Sequence, residues 1–318
     1  MDSFGFNVIE NGIPRTQQYL IPSRAQCLAC HTPQAGHALS FNMRQMYRSE
    51  TIHGHTGNQI DLLRLAGYFT NTPTSTTLLP RHLRPDETGF SLEARSRSYL
   101  AVNCASCHFA GGTAPGNFDM RPQLTFAQTG LLNGVAVQSG ADPLNRLIVA
   151  GDTAHSIVLN RMAVTNGFTR MPSIGSAELD QGGITLITNW INQLATRQSY
   201  AQWRMLHFGN TTSPEGAPTF DADHDGQMNE QEFLTGTAPL LGGSLFTPQS
   251  GVQGSQAVFN FTLPPNRGYQ IEISLDLLNW QLWDVPGNNG LPAASPHATF
   301  TAPLTDMQRF FRVLVREQ

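Results

Sequence analysis

All four cysteines of this 318-residue chain lie in two strings of one form, Cys27-Leu-Ala-Cys30-His31 and Cys104-Ala-Ser-Cys107-His108. A disulfide framework gives no reason for a histidine to follow the second cysteine of each pair. A thioether-bound haem does, because the two thiols add to the porphyrin's vinyl groups and the adjacent imidazole becomes an axial iron ligand. The residues therefore point to two covalently attached c-type haems, one on Cys27, Cys30 and His31 and one on Cys104, Cys107 and His108. A zinc ion held by all four thiolates is the competing reading. It leaves both histidines unexplained and requires segments 77 residues apart to meet. A thioredoxin-like redox pair lacks its βαβ surroundings.

A histidine-ligated haem commonly takes methionine on the other side, which raises its reduction potential. For the second haem the candidate is Met171, 63 residues beyond His108 and followed by Pro172, which favours an extended loop. Its rival Met162 falls in an apolar, helical-looking run, Ile157 to Met162. The first haem has no such loop. Met43, 12 residues past His31, is too near to reach the far face, Met46 is scarcely better placed, and His53, His55 and His82 are the remaining candidates. A five-coordinate iron is the other expectation there, and an open position would admit peroxide.

A second motif stands apart from the cysteines. Asp221, Asp223 and Asp225 occupy positions 1, 3 and 5 of a twelve-residue calcium loop, Gly226 the sharp turn, Gln227 the main-chain carbonyl at position 7, Asn229 position 9 and Glu232 position 12. One bound calcium ion is expected. The flanks lack two full amphipathic helices, so the loop reads as a staple in a linker.

Forty per cent hydrophobic residues fit a globular chain, with a mean hydropathy of -0.24, and no apolar run approaches the ~20 residues of a membrane span. A net charge of -4 argues against nucleic acid as a partner. All 19 basic residues are arginine, so a lysine-rimmed docking face is excluded. Haem attachment by this motif takes place outside the cytoplasm, which implies a periplasmic or extracellular location. Met1 to Val8 lacks the charged and apolar regions of a signal peptide, so either the true start lies upstream or, the favoured reading, the chain is a segment of a larger exported polypeptide.

Four modules are expected: a first haem c module over 1–80, a second over 81–198, a linker helix with the EF-hand-like loop over 199–243, and a small antiparallel β-sandwich over 244–318. The fold class is thus multidomain, with mainly α cytochrome c-like modules and long loops before a small all-β domain. Apolar spacing predicts a helix from Asn58 to Phe69 ending at Gly67, one from Ser91 into Cys104, and one capped by Ser176 running to Leu194, with Leu179, Leu186, Ile187, Trp190, Ile191 and Leu194 on one face. Tyr200 to Phe208 reads as a further short helix. Alternation predicts strands over Ala257–Leu263, Tyr269–Leu275 and Arg309–Val315. Trp280 and Trp283 are expected in the core rather than on a carbohydrate platform.

The runs Ile21 to Thr32, Arg97 to His108, Gly151 to Ser156, Arg170-Met-Pro and Asn189-Trp-Ile resemble a family of bacterial dihaem c-type cytochrome regions, over about Ile21 to Leu194. Members are often joined to a quinoprotein-like glucose/sorbosone dehydrogenase. The second half also resembles the planctomycete-type cytochrome c domain, in which the methionine of an Arg-Met-Pro loop ligates iron; that carries over to Met171. The acidic loop looks like thrombospondin type-3 or dockerin-like calcium loops. The resemblance implies an electron acceptor for a periplasmic dehydrogenase, passing single electrons to a downstream partner. Two other functions stay open: a dihaem peroxidase using a five-coordinate first haem, against which the first motif has no clear acid–base group beyond the candidates Glu50, His53 and His55, and a calcium-stabilised surface scaffold.

Overall fold

The computed structural model describes residues 2–39, 41–52, 54–71, 75–304 and 309–317. In chain order the elements are strands β1 (Asp2–Glu10) and β2 (Ile13–Ile21), helices α1 (Arg24–Cys30) and α2 (Met43–Met46), strands β3 (Ser49–Ile52) and β4 (His55–Asn58), and helices α3 (Gln59–Leu65), α4 (Leu92–Cys104), α5 (Ile157–Ala163), α6 (Gln181–Leu194), α7 (Tyr200–Phe208) and α8 (Asn229–Thr235). Strands β5 (Gln249–Gln253), β6 (Gln256–Thr262), β7 (Arg267–Ser274), β8 (Gln281–Leu282), β9 (His297–Pro303) and β10 (Phe310–Glu317) follow.

The expected class of mainly α modules followed by a small all-β domain is overturned, because helix makes up only 24% of the described residues and strand 23%. Two hairpins lie within residues 1–80, where a mainly α haem c module was expected. β1 and β2 pair antiparallel about Asn11-Gly12, both in the left-handed region at φ 51° and 79°. That is the conformation a two-residue hairpin turn demands and Asn-Gly supplies. β3 and β4 pair in the same way. Between α4 and α5 the chain is mostly turns, and four of the eight described helices have only seven residues.

The chain divides into two compact units, each discontinuous: one comprises Met1–Gln45, His82–Asp86 and Arg95–Ala195, the other Met46–Arg81, Glu87–Ala94 and Thr196–Gln318. The core of the first unit lies against α6. Ile187, Trp190 and Ile191 are fully buried with Phe126 and Leu131, and the Phe126 and Trp190 rings meet at 5.3 Å. Asp180, not Ser176, caps α6 by accepting from the Gly183 amide, and its other oxygen accepts from Tyr99 of α4 at 2.9 Å. Leu179 consequently falls outside the helix. A methyl group on Gly183 would sit 2.2 Å from the Tyr99 hydroxyl, so only glycine permits this crossing.

In the second unit two three-stranded antiparallel sheets, β5-β6-β9 and β10-β7-β8, share one apolar core of Phe259, Phe261, Ile271, Trp283 and Phe300. Trp283 is buried there, whereas Trp280 lies at the rim beneath Arg312, 4.5 Å from its guanidinium. Fully buried Asn288 donates to the carbonyls of Ile271 and Trp283 and accepts from the Ile271 amide, which ties the loop after β8 to β7. A buried ion network joins distant segments of this unit: Arg197 pairs with Glu93 at 3.1 Å and Glu317 at 2.6 Å, and Glu317 also takes Arg267 at 3.3 Å.

Gly183→Ala is expected to destabilise the protein, since overpacking costs ~1–3 kcal/mol and exceeds the ~1 kcal/mol that alanine returns in helix propensity. Gly182→Ala, whose new methyl would meet only Asp180 at 3.4 Å, is expected to be neutral or stabilising. Thermal unfolding followed by circular dichroism compares the two.

Candidate functional site

The two cysteine–histidine strings are closed by the same hydrogen bond, the first within α1 and the second in the turn that follows α4. A Ser23/Gln26 capping box starts α1, which ends on Cys30, and the His31 amide donates to the Cys27 carbonyl at 2.9 Å. At the end of α4 the His108 amide donates to the Cys104 carbonyl, also at 2.9 Å. Each string is therefore one helical turn. Residues three and four apart in such a turn share a face, so both thiols and the imidazole of each string are directed to one side.

His31 is oriented by its own loop. Its Nδ1 meets the His37 carbonyl at 2.5 Å, an arrangement that fixes the ring and leaves Nε2 for a metal. His37 reaches that position with a left-handed φ of 59° and with its amide on the Thr32 carbonyl at 2.9 Å. Sequence reasoning passed over His37; the signal was the turn-forming Gly36 before it. The His108 ring stacks on Phe118 at 4.6 Å. Burial, and then the positive charge of Arg161, holds it toward the neutral form that binds metals.

The two strings meet. Cys30 Sγ lies 2.9 Å from Cys107 Sγ, and the Thr113 hydroxyl donates to the Ala29 carbonyl beside them. Gly112 permits the fold-back after the second string, because a methyl group there would lie 2.3 Å from the Cys107 carbonyl. Burial, then the Cys107 contact, pushes the Cys30 thiol up to about 11; burial pushes Cys104 up to about 12, while Cys27 is exposed. The approach required by a four-thiolate zinc site is thus present for one pair. The site itself is not assembled: among the described residues, the only metal-ligating group of three or more within 4.8 Å contains no cysteine. Paired thiols and an oriented imidazole on one face are the donor set of a thioether-bound haem, and the residues present fit that group.

Met171 donates its amide to the Arg161 carbonyl at 3.1 Å, and Arg161 is the residue whose charge reaches His108. Met162 sits within α5. Among candidates for the far side of the first string, His82 belongs to the same unit as His31, whereas Met46 and His55 belong to the other. His82 is held low, at about 4, by burial and Arg44. His53 lies outside the described residues, and Glu50 pairs with Arg48 at 3.1 Å. Near the Met171 loop a cavity of about 620 Å³ is lined by residues that include Asp142, Asn145, His155, Arg161 and Phe168. His155 bridges Asp152 at 2.5 Å and Asp142 at 3.4 Å, and the Asp152 hydrogen bond raises its pKa.

In the second unit the acidic loop closes on itself. Asp221, Asp223 and Asp225 each place a carboxylate oxygen within 4.8 Å of the others. Gly226 takes the left-handed turn at φ 96°, and Gln227 gives its side-chain oxygen to the Phe246 amide, so the main-chain carbonyl is what it offers the loop. Glu232, on α8, is fully buried. Neither of its oxygens has a hydrogen-bond partner among the described residues, nor do Asp223 Oδ2, Asp225 Oδ2 and Asn229 Oδ1. Burial, then Asp223, Asp225 and Asp221, raises Glu232 to about 7. So much buried, unpartnered negative oxygen is the environment a cation relieves.

The chain matches no family model, no curated protein and no solved structure. Among the described residues, no helix is long and apolar enough to cross a membrane.

Glu232 provides a pH test. Its folded-state pKa lies above the ordinary 4.5, so the metal-free fold binds more protons than the unfolded chain and loses stability as pH rises between the two values. Chelator-treated protein should melt at a lower temperature at about pH 8 than at about pH 5. Glu232→Gln should flatten that difference, and an oxygen-preferring divalent cation should reverse it.

Proposed function

We propose that this protein is a dihaem c-type cytochrome that passes single electrons from a dehydrogenase outside the cytoplasm to a downstream acceptor. The observation that carries the reading is the shared helical turn of the two strings and their meeting at Cys30 and Cys107. Sites this close suit transfer from one to the other inside the chain.

Haem iron held here would supply a one-electron Fe(III)/Fe(II) couple. The protein's share is anchoring, orientation and charge. Cys27 and Cys30, and Cys104 and Cys107, provide the thioether sulfurs. The His37 carbonyl holds His31 in the orientation that offers Nε2. Arg161, whose fixed charge acts at His108, favours the less positive, reduced state of whatever His108 ligates. Met171, tethered by its amide to the same arginine, is proposed as the residue that would hold that haem's iron together with His108.

The acidic loop belongs to the architecture rather than to the chemistry. We assign it a calcium ion, held by Asp221, Asp223, Asp225, the Gln227 carbonyl, Asn229 and Glu232, because hard oxygen donors in this spacing suit calcium. Such an ion would tie α8 to the loop before it.

Production with haem-attachment machinery should add the mass of two haems, and the haem spectrum should survive denaturing extraction. Attachment to neither string sinks the proposal. In the loaded protein, Met171→His should lower one of two potentials measured by redox titration, by a fraction of the ~0.8 V range that axial ligands span, and leave the other in place. Brisk peroxide consumption with a reduced dye would favour the peroxidase alternative instead.

A further inference from the structure

The meeting of the two strings has a chemical outcome independent of any cofactor. Cys30 Sγ and Cys107 Sγ are 2.9 Å apart, and a disulfide bond is about 2.05 Å long, so less than ~1 Å of closure separates contact from a bond. The partners within each string are placed differently. Cys27 is exposed at the surface, whereas Cys30, Cys104 and Cys107 are half-buried, and of these the Cys30 and Cys107 sulfurs are the pair in contact. The Thr113–Ala29 hydrogen bond ties the segments beside the pair together, and Gly112 lets the chain after Cys107 fold back tightly.

We propose that Cys30 and Cys107 are a modification site: in the chain without haem they form a disulfide that joins the two strings and closes both attachment sites at once. The oxidant is a low-molecular-weight disulfide. The Cys107 thiolate attacks one of its sulfurs and releases one thiolate, leaving a mixed disulfide. The Cys30 thiolate then attacks the Cys107 sulfur, forms the new S–S bond and expels the second thiolate. Two protons leave the cysteines, and the oxidant's disulfide, having taken up the two electrons, is reduced to two thiols. Attachment at either string then requires prior reduction, so the site is redox-gated. The gating rests on the haem reading, but the cross-link does not.

The test uses the full chain produced without haem attachment, purified reduced, exposed to oxidised glutathione and alkylated. Trypsin cleaves after Arg24, Arg44 and Arg97 but not at Arg121-Pro122, so the peptides that matter are 25–44 and 98–146. The expected result is one dominant species in which these peptides are linked, with the alkyl label on Cys27 and Cys104. Cys30→Ser or Cys107→Ser should abolish it and Cys27→Ser should preserve it, each variant being checked for the parent circular dichroism spectrum. Disulfides confined to Cys27–Cys30 and Cys104–Cys107, or four labelled cysteines, overturn the proposal. A parallel preparation with attachment machinery separates the two ideas. A linked haem-free chain that never gains haem mass keeps the cross-link and loses the cytochrome reading, whereas haem mass without the linked peptide does the reverse.

Discussion

The periodicity of one helical turn is the constraint from which the candidate haem chemistry follows. A cysteine, a second cysteine three residues on and a histidine directly after it share one face when a helical hydrogen bond closes the turn from first to last. Both strings meet this condition with the same hydrogen bond, from the histidine amide to the first cysteine carbonyl. The surroundings serve to hold that turn: a capping box before the first string, and before the second the thirteen residues of α4, fixed by Tyr99 against the cap of α6.

The second unit depends on a different device. Two of its three chain segments, Glu87–Ala94 and Thr196–Gln318, are joined by Glu93, Arg197, Arg267 and Glu317, whose charges are mostly out of water. A buried charge is costly alone and tolerable when paired, so the network rewards the correct assembly of segments more than it adds raw stability. The Arg267 guanidinium also lies 4.6 Å over the Phe233 ring, next to Glu232 on α8. The acidic loop and the ion network therefore meet on neighbouring residues of one short helix.

Features carried by local spacing were legible before any coordinates. The two strings, the stripe on α6, the whole of α7 and every position of the acidic loop follow from residue types at fixed intervals. The Asn11-Gly12 turn was equally local, and the hairpin around it was missed because the polar residues of β1 and β2 obscured the alternation of Phe4, Phe6 and Val8. The start of α6 was misplaced because Ser176 and Asp180 both suit a cap; the choice went to the residue that Tyr99 also binds. What no interval encodes is which distant segments meet. The approach of Cys30 to Cys107, the seating of the His37 carbonyl and the interleaving of the two units depend on packing between residues tens to hundreds of positions apart.

That interleaving sets a timetable. Residues 46–81 and 87–94 supply part of the second unit, yet its remaining strands and helices begin only after residue 195, and the last partner of the ion network is Glu317. With synthesis adding about 5–20 residues per second, the early segment waits on the order of ten seconds for its partners. The segments of the first unit are by then complete. A chain emerging in this order has its cysteine strings in place while the second unit is still open, so the newborn protein passes through a half-built state whose duration is set by translation rather than by folding.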